Sequence, residues 1–122
     1  MSSKVLLMLT DDPDDYTDFS SMLEELSSEA ILVAIASANK ASRLLQETAL
    51  VPACIVLSLS LYEVNVPEFL QRVNETNRLS ETRKVLYGTK EAYEKVKAHS
   101  SVDFLDTDLS YTEIQAFLQK VL

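Results

Sequence analysis

An unbroken apolar run in the middle of the chain constrains the fold more than any other feature. Residues 53–70 read ACIVLSLSLYEVNVPEFL: the stretch begins apolar, reaches Ser58 and continues into an amphipathic segment. Such a run is typical of a central strand that is buried on both faces of a parallel sheet. Because sites in open α/β sheets lie at the carboxyl ends of the strands, we expect Ser58 to lie at the site.

Length and charge limit the classes of protein that this chain can belong to. The 122 residues suit one domain, residues 1–122, and the formal net charge is −8. A chain this acidic has no basic surface for nucleic acid or anionic membrane, so neither is expected as a partner. The first apolar run is too short for a signal peptide and no later run could span a membrane. We therefore expect a cytoplasmic protein.

Three residue types that occur once each exclude several kinds of site. The only glycine is Gly88, which removes the glycine-rich dinucleotide loop, the P-loop and the G-x-S-x-G nucleophile elbow. The only cysteine, Cys54, cannot form an internal disulfide or a cysteine zinc cluster, and we expect it to be a buried strand residue. The only histidine, His99, allows no histidine-based metal cluster.

Apolar runs and amphipathic stretches alternate along the chain. Five strands are predicted, at residues 4–10, 31–36, 53–59, 85–87 and 102–105. A helix is predicted after each one. This alternation predicts a single flavodoxin-like (βα)5 domain, a five-stranded parallel sheet in the order 2-1-3-4-5 with helices on both faces.

The predicted helices carry recognisable start signals. Helix 1 is expected to begin at Asp12 and Pro13, helix 2 after Asn39 or Ser37, and helix 3 near Pro67. Helix 4 is predicted from Lys90 to His99, with Tyr93 and Val96 inward, and helix 5 after Ser110. The apolar stripes of helices 1 and 5 are predicted as Phe19, Met22, Leu23 and Leu26, and as Tyr111, Ile114, Phe117, Leu118 and Val121.

Three segments resemble the receiver domain of two-component response regulators. KVLLMLTDDPDDYTDFSSMLEEL is similar to the first strand and helix of stand-alone receivers, ACIVLSLSLYEVNVPEFL to the stretch around the phosphoacceptor aspartate, and VDFLDTDLSYTEIQAFL to the last strand and helix. The resemblance implies phosphoryl transfer from a histidine kinase to an aspartate. It also implies two acidic residues that hold Mg²⁺, a lysine, and a switch serine or threonine beside the phosphoryl group.

Most of those groups are replaced in this chain. By the resemblance, the phosphoacceptor position is Ser58, and the acidic pair is Thr10 and Asp11. The lysine position is Thr107, and the switch hydroxyl position is Gly88. The usual glycine after strand 3 is replaced by Val66, Thr89 lies beside the switch position, and the aromatic residue of strand 5 is kept as Phe104.

The replacements predict that the usual phosphoryl chemistry is lost. A serine hydroxyl needs a base or a metal to become a nucleophile, and His99 is predicted at the opposite edge of the sheet. Ser58 is instead expected to lie among four carboxylates without a cation, which would repel a phosphoryl group. Those carboxylates are Asp11, Asp12, Asp106 and Asp108.

The favoured interpretation is a degenerate receiver that is not an enzyme, needs no cofactor and binds signalling proteins. Its partners would be a histidine kinase or a downstream effector, or a second copy bound through helix 4, strand 5 and helix 5, with Tyr93, Lys97 and Phe104 on the contact surface. Two alternatives stay open. One is an active receiver with an altered site, with weak Mg²⁺ binding at Asp11. The other is a flavodoxin-like protein that binds FMN or another small molecule, which the acidic loop TDDPDD disfavours.

Overall fold

Five strands alternate with helices along the chain. The computed structural model describes residues 4–26, 29–61, 65–96 and 102–122. The strands pair in parallel in the order β2-β1-β3-β4-β5, which confirms the predicted sheet. Their bounds are β1 Val5–Leu9, β2 Ile31–Ile35, β3 Cys54–Ser58, β4 Arg83–Gly88 and β5 Asp103–Asp106.

The helices begin where polar side chains cap them. Their bounds are α1 Pro13–Glu25, α2 Ala38–Glu47, α3 Val66–Asn74, α4 Lys90–Val96 and α5 Tyr111–Val121, with a 3₁₀ turn at Asn77–Leu79. Asp12 caps α1 and Ser110 caps α5, as predicted. Ser37, not Asn39, caps α2, and α3 begins one residue before Pro67. No described helix is both long and apolar enough to cross a membrane.

The sheet separates two apolar cores, because successive strand residues point to opposite faces. One core contains Leu7, Leu9, Ile55 and Leu57 together with residues of α2 and α3. The other contains Leu6, Met8, Cys54 and Val56 together with residues of α1 and α5. Strand β3 lies between β1 and β4 and is buried along its whole length, as its apolar run predicts.

The structure differs from the sequence prediction at several points. Strand β4 begins at Arg83 instead of Val85, because the Arg83 N–H donates to the carbonyl of Ala53 and the Arg83 side chain pairs with Asp103 at 2.8 Å. Tyr111 was predicted to face inward but is 39% exposed, and its hydroxyl donates to the Glu25 carboxylate. Helix α4 is described only to Val96, so His99 and Lys97 lie outside the described residues.

Candidate functional site

A cleft of about 210 Å³, here called the Ser58 cleft, opens at the carboxyl edge of the sheet. Parallel pairing aligns Leu9 with Leu57 and Ser58 with Tyr87, so the ends of β1, β3 and β4 meet there. The residues that line it are Asp12, Asp15, Ser58, Leu59, Ser60, Tyr87, Gly88, Thr89, Ala92 and Thr107. The structure therefore brings together three positions that the sequence selected, Ser58, Gly88 and Thr107.

Ser58 ends β3 as a buried hydroxyl that is held by its own loop. Its side chain is 2% exposed, and its Oγ lies 2.9 Å from the Oγ of Ser60. The Ser60 N–H also donates to the Ser58 Oγ, at 3.4 Å. Neither partner is a base, so within the described residues nothing bonded to Ser58 could remove its proton.

The end of β1 is organised by Thr10. This side chain is 5% exposed, donates its hydroxyl to the Asp15 Oδ2 at 2.7 Å, and accepts the Asp12 N–H at 3.1 Å. Burial raises the pKa of Asp15, against the opposing effect of the Thr10 hydroxyl bond. The Thr10 hydroxyl thus makes an internal bond to the helix that follows β1.

The acidic lining of the cleft differs from the predicted set. Asp12 lines the Ser58 cleft as expected, but the second carboxylate is Asp15, which the sequence analysis did not select. Asp11 is exposed at the end of β1 and is not part of the lining. Asp106 and Asp108 are not part of the lining either, and the Asp106 Oδ1 accepts the Asp108 N–H at 2.9 Å.

The position of Asp15 in α1 explains why the sequence did not identify it as a residue of the cleft. It is the third residue of the helix, and a side chain there can reach back over the helix N-terminus, as the third residue does in a capping box. The sequence alone was consistent with a solvated first-turn carboxylate that complements the helix dipole. Only the bond from Thr10 shows which way the side chain points.

Tyr87 forms an aromatic wall that sequence reasoning also missed. Its ring meets Phe19 edge to face, with centroids 5.3 Å apart. Burial raises the pKa of Tyr87, and the charge of Asp15 raises it further. The phenol therefore stays protonated at neutral pH and can act as a hydrogen-bond donor.

Gly88 is closely covered by Leu59 from the end of β3. A Cβ built on Gly88 would lie 2.8 Å from the Leu59 Cβ and 3.0 Å from its Cδ1. The backbone is fixed there too, because the Leu59 N–H donates to the Tyr87 carbonyl at 2.8 Å. A serine or threonine at position 88 therefore cannot fit without a shift of Leu59 or of the strand end.

The remaining polar residues of the cleft are uncharged. Thr107 is exposed, and its N–H donates to the Gly88 carbonyl at 2.9 Å. Thr89 uses its hydroxyl to accept the Ala92 N–H at the start of α4. Among the described lining residues there is no lysine or arginine, so nothing would balance the charge of a phosphoryl group.

The donor set of the cleft fits Mg²⁺ poorly. In the described ranges no group of three or more acidic, histidine or cysteine side chains is arranged to hold a metal ion. The Asp15 carboxylate already accepts the Thr10 hydroxyl. Weak binding at the exposed Asp11 stays a prediction.

Two further residues that were singled out from the sequence, Phe104 and Cys54, lie away from the Ser58 cleft. Phe104, on β5, is half-buried and stacks on Tyr93 of α4 with ring centroids 4.3 Å apart and planes 21° apart. Cys54 is fully buried in β3, and burial raises the pKa of its thiol to about 12. The prediction that Cys54 is a buried strand residue is confirmed.

Comparison with solved structures gives matches over nearly the whole chain. The receiver domain of the sensor histidine kinase PA1611 of Pseudomonas aeruginosa matches with a TM-score of 0.78 and 15% identity, over 98% of this chain and 97% of that one. The Vibrio cholerae chemotaxis protein CheY4 matches with 0.73 and 16%, over 99% and 100%. The signal receiver domain of a DNA-binding response regulator from Colwellia psychrerythraea matches with 0.76 and 16%, over 98% of each chain.

These likenesses and the sheet order together identify the fold. The sheet order and the helix placement define a flavodoxin-like protein of the (βα)5 class. Within that class, the chain has the fold of response regulator receiver domains, which confirms the predicted resemblance at the level of fold. Comparison of the sequence with protein-family models gives no match, and comparison with curated proteins gives none.

Replacement of Gly88 by alanine is predicted to destabilise the fold by about 1–3 kcal/mol, because the new methyl group overlaps Leu59. Urea denaturation measures the change. The double variant Gly88→Ala/Leu59→Gly removes the overlapping side chain and should recover part of the loss beyond additivity. A penalty that is purely additive in the double variant would show that Leu59 is not its cause.

Replacement of Asp15 by asparagine is predicted to stabilise the protein at neutral pH. The folded pKa of Asp15 is raised above its ordinary value of 3.8, so protonation favours the folded state. That favourable contribution to the stability of the fold is fully present below about pH 3.8, the ordinary pKa, and is lost as the pH rises through the raised pKa of the folded state. The advantage of Asp15→Asn should therefore shrink as pH falls through this window, as measured by urea denaturation from pH 3 to pH 7.

The matched control is Asp11→Asn, which makes the same charge change at an exposed side chain that is not among the groups that raise the pKa of Asp15. It should not reproduce the pH-dependent gain. An Asp15→Asn profile that stays parallel to the wild-type profile would contradict the burial of this carboxylate.

Proposed function

We propose that this protein is a receiver-like module of two-component signalling that is not phosphorylated at the usual position and acts by binding other proteins. The observation that carries the proposal is the state of Ser58. A buried hydroxyl bonded to Ser60 stands where the resemblance implies an aspartate. A carboxylate is anionic at neutral pH and can attack phosphorus directly, whereas a hydroxyl must first lose a proton.

The surroundings of Ser58 support the same proposal. Gly88 has no hydroxyl to bond a phosphoryl oxygen, and Leu59 fills the space that a larger side chain there would need. Thr107 supplies no charge at the lysine position. The two carboxylates in the cleft, Asp12 and Asp15, oppose the approach of an anion. The proposed role is therefore non-catalytic.

The signalling context comes from proteins of the same fold. The Pseudomonas aeruginosa match is part of a sensor histidine kinase and has Mg²⁺ coordinated in its active-site cleft, and the Vibrio cholerae match is a chemotaxis protein. By that likeness, the proposed partners are a histidine kinase or a downstream effector in the cytoplasm. The net charge of −8 argues against nucleic acid as a direct partner.

The proposed contact surface is the face formed by α4, β5 and α5. On this face Tyr93 and Phe104 stack and are half-buried, so they form a pre-ordered aromatic contact that loses little side-chain freedom on binding. A second copy of the chain bound through the same face is the alternative partner. Lys97, which the sequence also selected, lies outside the described residues.

One observation favours a second candidate, an active receiver with an altered site. Asp12 and Asp15 both line the Ser58 cleft and could replace the usual acidic pair. Against this interpretation, the Asp15 Oδ2 already accepts the Thr10 hydroxyl. Binding of FMN or another small molecule in place of phosphate stays an untested prediction.

Exposure to acetyl phosphate with Mg²⁺ is predicted to leave the intact mass unchanged. The reason is that Ser58 has no bonded base and the cleft lining has no cation. Intact-protein mass spectrometry detects a covalent phosphate directly. A stable phosphate on Ser58 would overturn the proposal.

Two variants separate loss of the nucleophile from loss of its surroundings. Ser58→Asp restores the carboxylate alone, and Ser58→Asp/Thr107→Lys restores the cation as well. We expect the single variant to be modified little and the double variant more. Strong modification of Ser58→Asp alone would favour the altered-site candidate, in which Asp12 and Asp15 hold the metal.

Truncation of the stacked aromatic pair is predicted to remove partner binding while the fold persists. Tyr93→Ala and Phe104→Ala should each lower partner retention at least about tenfold in affinity capture with quantitative mass spectrometry. Tyr16→Ala is the matched control, because Tyr16 is 45% exposed on α1, away from the proposed face. Equal loss in all three variants would contradict the surface assignment, and sedimentation velocity tests the self-association alternative.

A further inference from the structure

The outer edge of the sheet at β2, here called the β2 edge, is open. Strand β2 pairs with β1, and no other described strand lies beside it. Hydrogen bonding alternates along a strand of a parallel pair, and the Ile31 N–H donates to the Lys4 carbonyl on the β1 side. The backbone N–H and C=O groups of Leu32 and Ala34 therefore point outward, away from β1.

The β2 edge lacks the features that commonly protect an edge strand, which are charges, proline or a very short strand. The opposite edge, β5, has four residues and an aspartate at each end, Asp103 and Asp106. Strand β2 reads ILVAI, without a charge, a proline or a glycine. Its Ala34 side chain is exposed, and its Ile31 side chain is 51% exposed. An open apolar edge of this kind is a template for a further strand.

The sequence of β2 is complementary to itself in the antiparallel direction. A twofold axis through Val33 would align Leu32 with Ala34 of a second copy, and each such pair exchanges two backbone hydrogen bonds. Of the twofold registers, only this one pairs both outward residues within the strand. On the α2 side it sets Val33 against Val33 and Ile31 against Ile35, so β-branched side chains meet β-branched side chains.

Helix α2 runs back along β2 and presents one charge of each sign beside the β2 edge. Ser42 and Gln46 lie on the α3 side of the helix, because both line clefts between α2 and α3. Lys40, Leu44 and Glu47 follow one another at i, i+4 and i+7 on the opposite side, toward the β2 edge. Lys40 and Glu47 are exposed, and neither forms an ion pair within the described residues.

The axis that would pair the strands would also set the two α2 helices side by side and antiparallel. Leu44 would then lie opposite Leu44, and Lys40 opposite Glu47 of the second copy. Because α2 shares its core with side chains of both β1 and β2, its axis lies inward of the edge. Two strand spacings then separate the helices by roughly 10 Å, the distance of packed helices. On the other face, a groove of about 280 Å³ between α1 and Leu32 leaves that side uncovered.

We propose that two copies of this protein associate through the β2 edge, which joins their sheets into one continuous sheet. A second copy fits this edge because one twofold axis satisfies the outward backbone groups, the β-branched contacts and the pair of Lys40 with Glu47. The formal charge of −8 on each copy opposes association, so backbone and apolar contacts hold the dimer and added salt strengthens it. The interface does not involve β5 or the state of Ser58.

Sedimentation velocity over a series of protein concentrations, with amide hydrogen exchange on the same samples, tests the proposal. We expect a monomer–dimer equilibrium. Protection of the Leu32 and Ala34 amides should rise with protein concentration, because these N–H groups are bonded only in the dimer. A dimer in which both amides stay unprotected would overturn the proposal. So would a chain that stays monomeric, which leaves a strand of another protein as the occupant of the edge.

Lysine substitutions at the β2 edge make the assignment specific. Ile31→Lys and Ala34→Lys should each weaken dimerisation at least about tenfold, because each sets a charge against an apolar strand. Val51→Lys is the matched control and should not weaken it, since Val51 is 50% exposed but lies in the segment that leads into β3. Equal weakening by all three variants would contradict the proposal. A dimer that is lost in Phe104→Ala and kept in Ala34→Lys would assign self-association to the α4–β5–α5 face instead.

A charge exchange tests the contact between the α2 helices. Lys40→Glu and Glu47→Lys should each weaken dimerisation roughly fivefold, because twofold symmetry repeats the contact and turns attraction into repulsion. Lys40→Glu/Glu47→Lys should restore it. Each new charge suits the dipole at its end of α2, so the fold persists. The two single variants change the net charge in opposite directions, so weakening by Lys40→Glu alone would show general repulsion and contradict this pairing.

Discussion

The burial of β3 on both faces is the constraint on which the rest of the structure depends. Every residue from Cys54 to Ser58 is at most 2% exposed, with β1 and β4 paired to its two edges. A strand in that position must be covered by helices above and below, which forces the alternation of strands and helices. It also delivers Ser58, the last buried residue of the strand, to the carboxyl edge where receiver folds carry their site.

Several polar side chains at that edge form hydrogen bonds with one another. Ser58 is bonded to Ser60, and Thr10 is bonded to Asp15. Leu59 lies against the bare backbone of Gly88 and covers it. The side chains of the cleft thus pack and bond to one another as ordinary local structure. The aromatic stack of Tyr93 on Phe104 shares none of those contacts.

Much of the cleft could be predicted because parallel strands end at a common edge. Once the strands were located, Ser58, Gly88 and Thr107 had to lie together, and they line one cleft. The carboxylates could not be assigned the same way. Asp11 and Asp15 are both aspartates of the same short segment, and the sequence does not distinguish them. Of the two, only Asp15 accepts the Thr10 hydroxyl and lines the cleft. The direction of a side chain in the first turn of a helix depends on where the preceding strand ends. The local sequence does not predict that direction.

The sequence by itself determined the alternation of strands and helices, the buried faces of the strands and the serine at the end of β3, because apolar periodicity and residue identity are local properties. Only the tertiary structure decided that Leu59 covers Gly88, twenty-nine positions later in the chain, and that the starts of α2 and α3 enclose a common cleft. Both are contacts between elements far apart in sequence. Their geometry is fixed by how the helices pack across the buried central strand, and that packing is a property of the whole fold.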